Sequence, residues 1–209
     1  MAPIVYLANM KVTLFRLLSL KTNLIRNVAD FFGVYLIAAG KCVHSEFFNL
    51  LTNFICNELA PIICKNGLRL FDPDPSVDNT QRIPEILDHF PAGTSVNTIA
   101  HYGQFIQQNM TRPVFRKFDY GKAANQIYYK QSTPPVYDLG KIKIPVVMFI
   151  GLNDPLGNIV DNTILYNDLV GLGVDVRKYE INFWGHLTFL WMKDPSPEYG
   201  DLVKEINSD

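Results

Sequence analysis

Two polar residues in the last third of the chain stand where an acid–base pair can be built. Asp154 lies in GLNDP, directly after the apolar run KIPVVMFIG (143–151), and His186 lies in FWGHL, after the run VDVRKYEI (174–181). Both runs read as strands, and Asn162 to Val170 reads as a helix between them that ends at Gly171. The two polar residues are thus one β–α–β step apart. Parallel neighbouring strands bring the residues that follow them to the same sheet edge, where open α/β sheets hold their ligands. There a carboxylate can accept a hydrogen bond from one imidazole nitrogen and set the tautomer, leaving the other nitrogen to take a proton from a nucleophile. Taken singly, an Asp in a post-strand turn is a turn residue and a His in an aromatic loop is structural. Only their pairing at one edge carries chemistry.

The order of acid before histidine fits the last two places of the nucleophile–acid–histidine order of α/β hydrolases. The first place is not filled. The serines are Ser19, Ser45, Ser76, Ser95, Ser132, Ser196 and Ser208, and none sits in G-x-S-x-G between a strand and a helix. Ser95, in AGTSVN, comes nearest, but it lacks the second glycine and a preceding strand, so it reads as a helix start. Cys42 and Cys64 also lack such a turn. No nucleophile is therefore expected within these residues.

Composition narrows the class. Nineteen Lys and Arg against 20 Asp and Glu give a net charge of −1, so no basic excess points to nucleic acid. The longest apolar stretch, Phe31 to Gly40, falls well short of the roughly 18 residues a membrane helix needs, so no transmembrane segment is expected. Cys42, Cys56 and Cys64 are too few for a disulfide scaffold, and no C-x-x-C pair suggests zinc. They are either buried thiols or one disulfide with a free thiol. Lys11 and Arg16 interrupt the apolar opening, which makes it a poor signal peptide. The sequon Asn109-Met110-Thr111 says little about compartment.

The elements follow from periodicity. MAPIVYL (1–7) reads as a short strand. Met10 to Val28 reads as an amphipathic helix, apolar at Met10, Leu14, Leu17, Leu18, Leu24, Ile25 and Val28, with Lys11, Arg16, Lys21 and Arg26 between them. Such a helix either turns its apolar side to a core or lies on a membrane surface; the core-facing arrangement is the expectation. Glu46 to Ile63 is a second helical tract, broken near Pro61. Residues 72–80, DPDPSVDNT, form a loop. A third helix spans Val96 to Gln108, capped by Ser95 or Thr94. Asn125 to Asp138 is polar and rich in Tyr and Pro, which predicts extended linker. A short helix past Pro197 closes the chain. The fold class is α/β: parallel strands with helices, carrying a large, mainly helical insertion.

Several of these segments resemble the acid lipases, the gastric and lysosomal lipase family. HFPAGTSVNTIAHYGQFIQ (89–107) is similar to the family's cap signature. FDYGKAANQIYYKQSTPPVYDLGKIKIPVVMFIGLNDPL (118–156) resembles its passage from cap to acid loop, with Y-x-Q-S-x-P-P-x-Y and then the acid in G-x-D. GHLTFLWMKDPSPEYGDLV (185–203) resembles the region around its histidine, and the Cys56–Cys64 spacing matches as well. The resemblance implies the C-terminal part of an α/β-hydrolase fold: a core strand at 1–8, a helical cap or lid at 9–125, and a core at 126–209 with the acid and histidine loops. It implies that Asp154 is the triad acid and His186 the triad base, with no metal or organic cofactor. It implies lipid esters, triacylglycerols or sterol esters, taken at a lipid–water interface, and a secreted or lysosomal place of action. The opening resembles the family's L-A-P-V-A strand, which follows the nucleophile turn, so the serine is expected upstream of this chain. A non-catalytic, lipid-binding product is the alternative. Two positions depart from the pattern: Thr188 stands where H-L-D-F has its aspartate, and Phe47 stands where the family has a cysteine nine residues before Cys56.

Overall fold

The computed structural model describes residues 2–31, 36–37, 69, 72–82, 93–194 and 196–207. The helical tract expected at 46–63 and the three cysteines lie outside these residues.

Two parallel strands organise the C-terminal third. β-strands Val146–Gly151 and Val176–Ile181 pair in register from Val146–Val176 to Gly151–Ile181, with the helix Ile159–Gly171 between them in sequence. The first strand is continuously apolar because both its faces are buried. Met148 and Ile150 pack with Tyr6, Leu165, Leu169 and Val174. Phe149 packs with Trp184 and Phe189 on the opposite face. The second strand is more polar: Lys178 lies 5.1 Å over the Tyr166 ring, and Arg177 and Tyr179 meet Glu205 of the terminal helix Ser196–Ile206. The Asn158 side chain starts the intervening helix by accepting from the Val160 amide at 2.9 Å. That helix ends at Gly171, as the sequence predicts, but the left-handed residue that turns the chain is Gly173, at φ 73°.

Over residues 2–8 of the expected strand at 1–8, no strand forms. Pro3 has no amide to donate, and among the described residues of this segment only the Ala2 N–H reaches the first strand, at the Phe149 carbonyl, 2.9 Å. Tyr6, Leu7 and Ala8 are buried in loop conformation. The Tyr6 hydroxyl donates to Asp168 at 2.7 Å. The Asn9 amide and side chain donate to Asp161 at 2.9 and 2.8 Å. Side chains of the Ile159–Gly171 helix thus do the work of a ladder.

The helical tract at 10–28 is two helices, Thr13–Ser19 and Thr22–Phe31, and of its apolar stripe Met10, ahead of the first helix, is buried while the helical members are not what packs. Both helices meet the helix Val96–Ile106, which follows a short strand Thr94–Ser95 paired with Leu36–Ile37. The meeting point is small and polar. Ser19 and Thr22 are buried, and a Cβ on Gly103 would lie 3.2 Å from the Thr22 Cβ. Leu17 and Leu24 stay 59% exposed, contrary to the core-facing expectation. The cause is the corner at Leu20–Lys21, which turns the close-packing face onto the small residues.

The linker expected at 125–138 is also corrected, because Lys122–Tyr129 is helical. Its buried residue is polar, and this hid it from a hydrophobic pattern. Asn125 accepts from the Tyr120 amide at 3.0 Å and donates to Asp119 at 2.8 Å and the Ser132 carbonyl at 3.1 Å. Lys130, left-handed at φ 60°, ends it. Among the described residues, no helix is long and apolar enough to cross a membrane.

Candidate active site

Backbone geometry joins the acid turn to the histidine turn. The Leu152 N–H bonds the Ile181 carbonyl at 2.9 Å, and the Asn153 N–H bonds the Trp184 carbonyl at 3.0 Å. The two loops therefore continue the pairing of their strands past the sheet edge. Gly151 makes this approach possible, since a Cβ there would come within 2.9 Å of the Trp184 carbonyl carbon. Phe183, exposed and at φ 65°, turns the chain just before Trp184.

The structure brings Asp154 and His186 together. Asp154 Oδ2 accepts from His186 Nδ1 at 2.8 Å. Its other oxygen, Oδ1, accepts from the amides of Leu156 and Gly157, both at 2.8 Å. A wholly buried carboxylate is tolerated here because both oxygens are paired, and amide bonds to a charged acceptor are stronger than neutral ones. Gly157 is required at this point: an added Cβ would stand 2.9 Å from Asp154 Oδ2 and 3.0 Å from the Pro3 carbonyl. The His186 side chain keeps 17% of its surface open. With Nδ1 committed as donor, the neutral ring presents Nε2 as a base.

Ser95 does what the sequence predicts for a helix start. Its hydroxyl accepts from the Thr98 amide at 3.0 Å. Ser19 donates to the Arg16 carbonyl at 2.7 Å. Among the described residues, no serine hydrogen-bonds to His186; Ser45 and Ser208 lie outside them.

Sequence reasoning missed Asp72. It is buried in the segment read as loop, and it accepts from the amides of Leu187 at 3.0 Å and Thr188 at 3.2 Å, on the C-terminal side of His186. Burial, and the negative charge of Asp78 beside it, push its carboxyl from 3.8 up to about 6. Asp78 is raised as well, chiefly by burial. The partners lie 115 residues away, and no local pattern signals such a contact.

An apolar cavity of about 380 Å³ opens next to the acid turn. Leu156, whose amide binds Asp154, forms part of its wall with Leu7, Met10, Leu18, Ala100 and Ile106. Its dimensions suit a hydrocarbon chain.

The chain is similar to known lipases over much of its length. No family model matches the chain. Over 170 residues it is 32% identical to human gastric triacylglycerol lipase, covering 79% of this chain and 41% of that protein. It is 30% identical over 167 residues to mouse lipase member K, and 33% identical over 141 residues to human lysosomal acid lipase/cholesteryl ester hydrolase. These last two matches cover 78% and 67% of this chain, and 40% and 32% of those proteins. The parallel strand pair with its intervening helix is of the α/β kind that these lipase relatives imply. The chain belongs to the acid lipase family, and it spans about two fifths of the length of the gastric lipase relative.

Proposed function

We propose that this chain carries the acid–base part of an ester-hydrolase site acting on lipid esters, triacylglycerols or sterol esters, at a lipid–water interface. The observation that carries the reading is the 2.8 Å bond between His186 and the buried Asp154. In this reading residues 126–209 are the C-terminal part of an α/β-hydrolase core, and 9–125 are its cap. A serine hydroxyl presented to His186 Nε2 attacks the ester carbonyl and gives its proton to the ring. The ring then returns that proton to the departing alcohol oxygen. Water, deprotonated by the same nitrogen, releases the fatty acid and restores the serine. Asp154 holds the ring and stabilises the imidazolium without taking the proton itself. The cavity beside Leu156 takes an acyl chain. The names of the gastric and lysosomal relatives favour a secreted or lysosomal setting.

The serine is not assigned within this chain, since none of its seven serines stands in a nucleophile turn. The cavity together with that lack also supports a second reading, a lipid-binding protein without turnover. The test uses the purified full chain and its His186→Ala variant, with a short-chain p-nitrophenyl ester and a long-chain fluorescent ester. We expect the long-chain ester to bind and neither ester to be hydrolysed above background. One oxyanion donor beside the nucleophile alone is worth about 3–4 kcal/mol to the transition state. Hydrolysis abolished by His186→Ala would place the nucleophile within this chain. Failure to bind the long-chain ester would overturn the substrate class.

A further inference from the structure

We infer that Asp72 is a positioning residue for His186, clamping the turn on both sides of the imidazole so that the ring stays on Asp154. The inference rests on the reading of His186 as the base.

The geometry is specific. On the C-terminal side, the Leu187 amide bonds both carboxylate oxygens of Asp72, at 3.0 and 3.2 Å. The Thr188 amide and hydroxyl each bond Oδ1 at 3.2 Å. On the N-terminal side the clamp passes through Thr188, whose hydroxyl oxygen accepts from the Gly185 amide at 3.1 Å. Gly185 itself lies against Asp72, and a Cβ there would come 2.8 Å from the Asp72 Cα. Residues 185, 187 and 188 are thus tied to one buried carboxylate, directly or through one hydroxyl. The side chain between them, His186, is held by its single bond to Asp154. With the backbone on either side fixed, the ring loses little further freedom when that bond forms.

Thr188 is suited to this role. It is fully buried, and its hydroxyl serves the clamp in both senses, donating to Asp72 and accepting from the Gly185 amide. A carboxylate at this position, as in the family's H-L-D-F, would face Asp72 with like charge. Among the described residues, Asp78 acts on Asp72, and Asp74 and Lys193 act on Asp78. No cation pairs with Asp72 among the described residues, so its bonds to the turn are what hold it in place.

The test follows the Nδ1 proton of His186 by nuclear magnetic resonance in the full chain, with the signal assigned by its loss in His186→Gln. We expect a slowly exchanging Nδ1 proton in the unaltered chain and its loss in Asp154→Asn. In Asp72→Asn, with circular dichroism unchanged, exchange of that proton should quicken at least tenfold, and Asp72→Glu should recover part of the protection. Unchanged exchange in folded Asp72→Asn would overturn the positioning role while leaving the Asp154–His186 pair standing. Absence of a protected proton in the unaltered chain would instead overturn the pair, and the function read from it. Should Asp72→Asn fail to fold, Thr188→Val decides. It removes only the hydroxyl link, and we expect exchange to quicken at least threefold; no change would overturn the clamp.

Discussion

The Asn153 amide bonds the Trp184 carbonyl at 3.0 Å, so the acid turn and the histidine turn are joined through their backbones before any side chain meets. This places the partners of the pair, and the Asp154–His186 bond completes an approach already made. The bond depends on Gly151, which leaves room for Trp184. Gly151→Ala should destabilise the chain by about 1–3 kcal/mol, as overpacking does. Urea unfolding followed by tryptophan fluorescence reads the change, and an unaltered midpoint would show that the two turns can part without cost.

The pair itself should be measurable as a coupling. Asp154→Ala leaves the Leu156 and Gly157 amides without their acceptor as well as removing the partner of His186. It should therefore cost more than His186→Ala. A double-mutant cycle over the two positions should give about 0.5–3 kcal/mol of interaction. Strict additivity would mean that the two side chains do not interact in solution.

Asp72 makes stability depend on pH in an unusual direction for an aspartate. Its carboxyl is raised from 3.8 to about 6, so the folded state holds the proton more tightly than the unfolded chain does. The stability it contributes is present below about pH 4 and is lost as pH rises through about 6. The loss is at most roughly 3 kcal/mol, since a tenfold change in proton affinity is worth about 1.4 kcal/mol. Stability of the unaltered chain relative to Asp72→Asn should accordingly fall between pH 4 and 7. A difference that stays flat or rises over that interval would contradict the shift.

The cavity can be narrowed without disturbing the core. Ile99 lines it and is 45% exposed, so Ile99→Trp should fold normally. We expect binding of a long-chain fatty acid to weaken about tenfold, roughly 1.4 kcal/mol, with a four-carbon chain little affected. Equal weakening of both would argue that the chain binds elsewhere.

The sequence disclosed the parts of the molecule that rest on periodicity and order. The run Val146–Gly151 is apolar because both faces are covered, the Ile159–Gly171 helix follows it, and Asp154 and His186 trail two neighbouring strands; all of this is local pattern. Ser95 as a helix cap was legible for the same reason. Features that depend on partners distant in the chain were not. Lys122–Tyr129 is organised around the buried amide of Asn125, which looks like loop composition when hydrophobicity is the guide. Residues 2–8 are apolar enough for a strand, yet Tyr6 is held by Asp168 and the adjoining Asn9 by Asp161. Asp72 sits in a Pro- and Asp-rich stretch whose turn character is evident and whose contact with the histidine loop is not.

The corner between Thr13–Ser19 and Thr22–Phe31 has a practical consequence. Its small residues are turned toward Gly103, which leaves Leu14, Leu17, Leu24 and Val28 each close to half exposed or more. Hydrocarbon presented to water lowers solubility when such surfaces can gain by meeting. We expect the purified chain to self-associate as its concentration rises, and a mild non-ionic detergent that coats these leucines to reverse it.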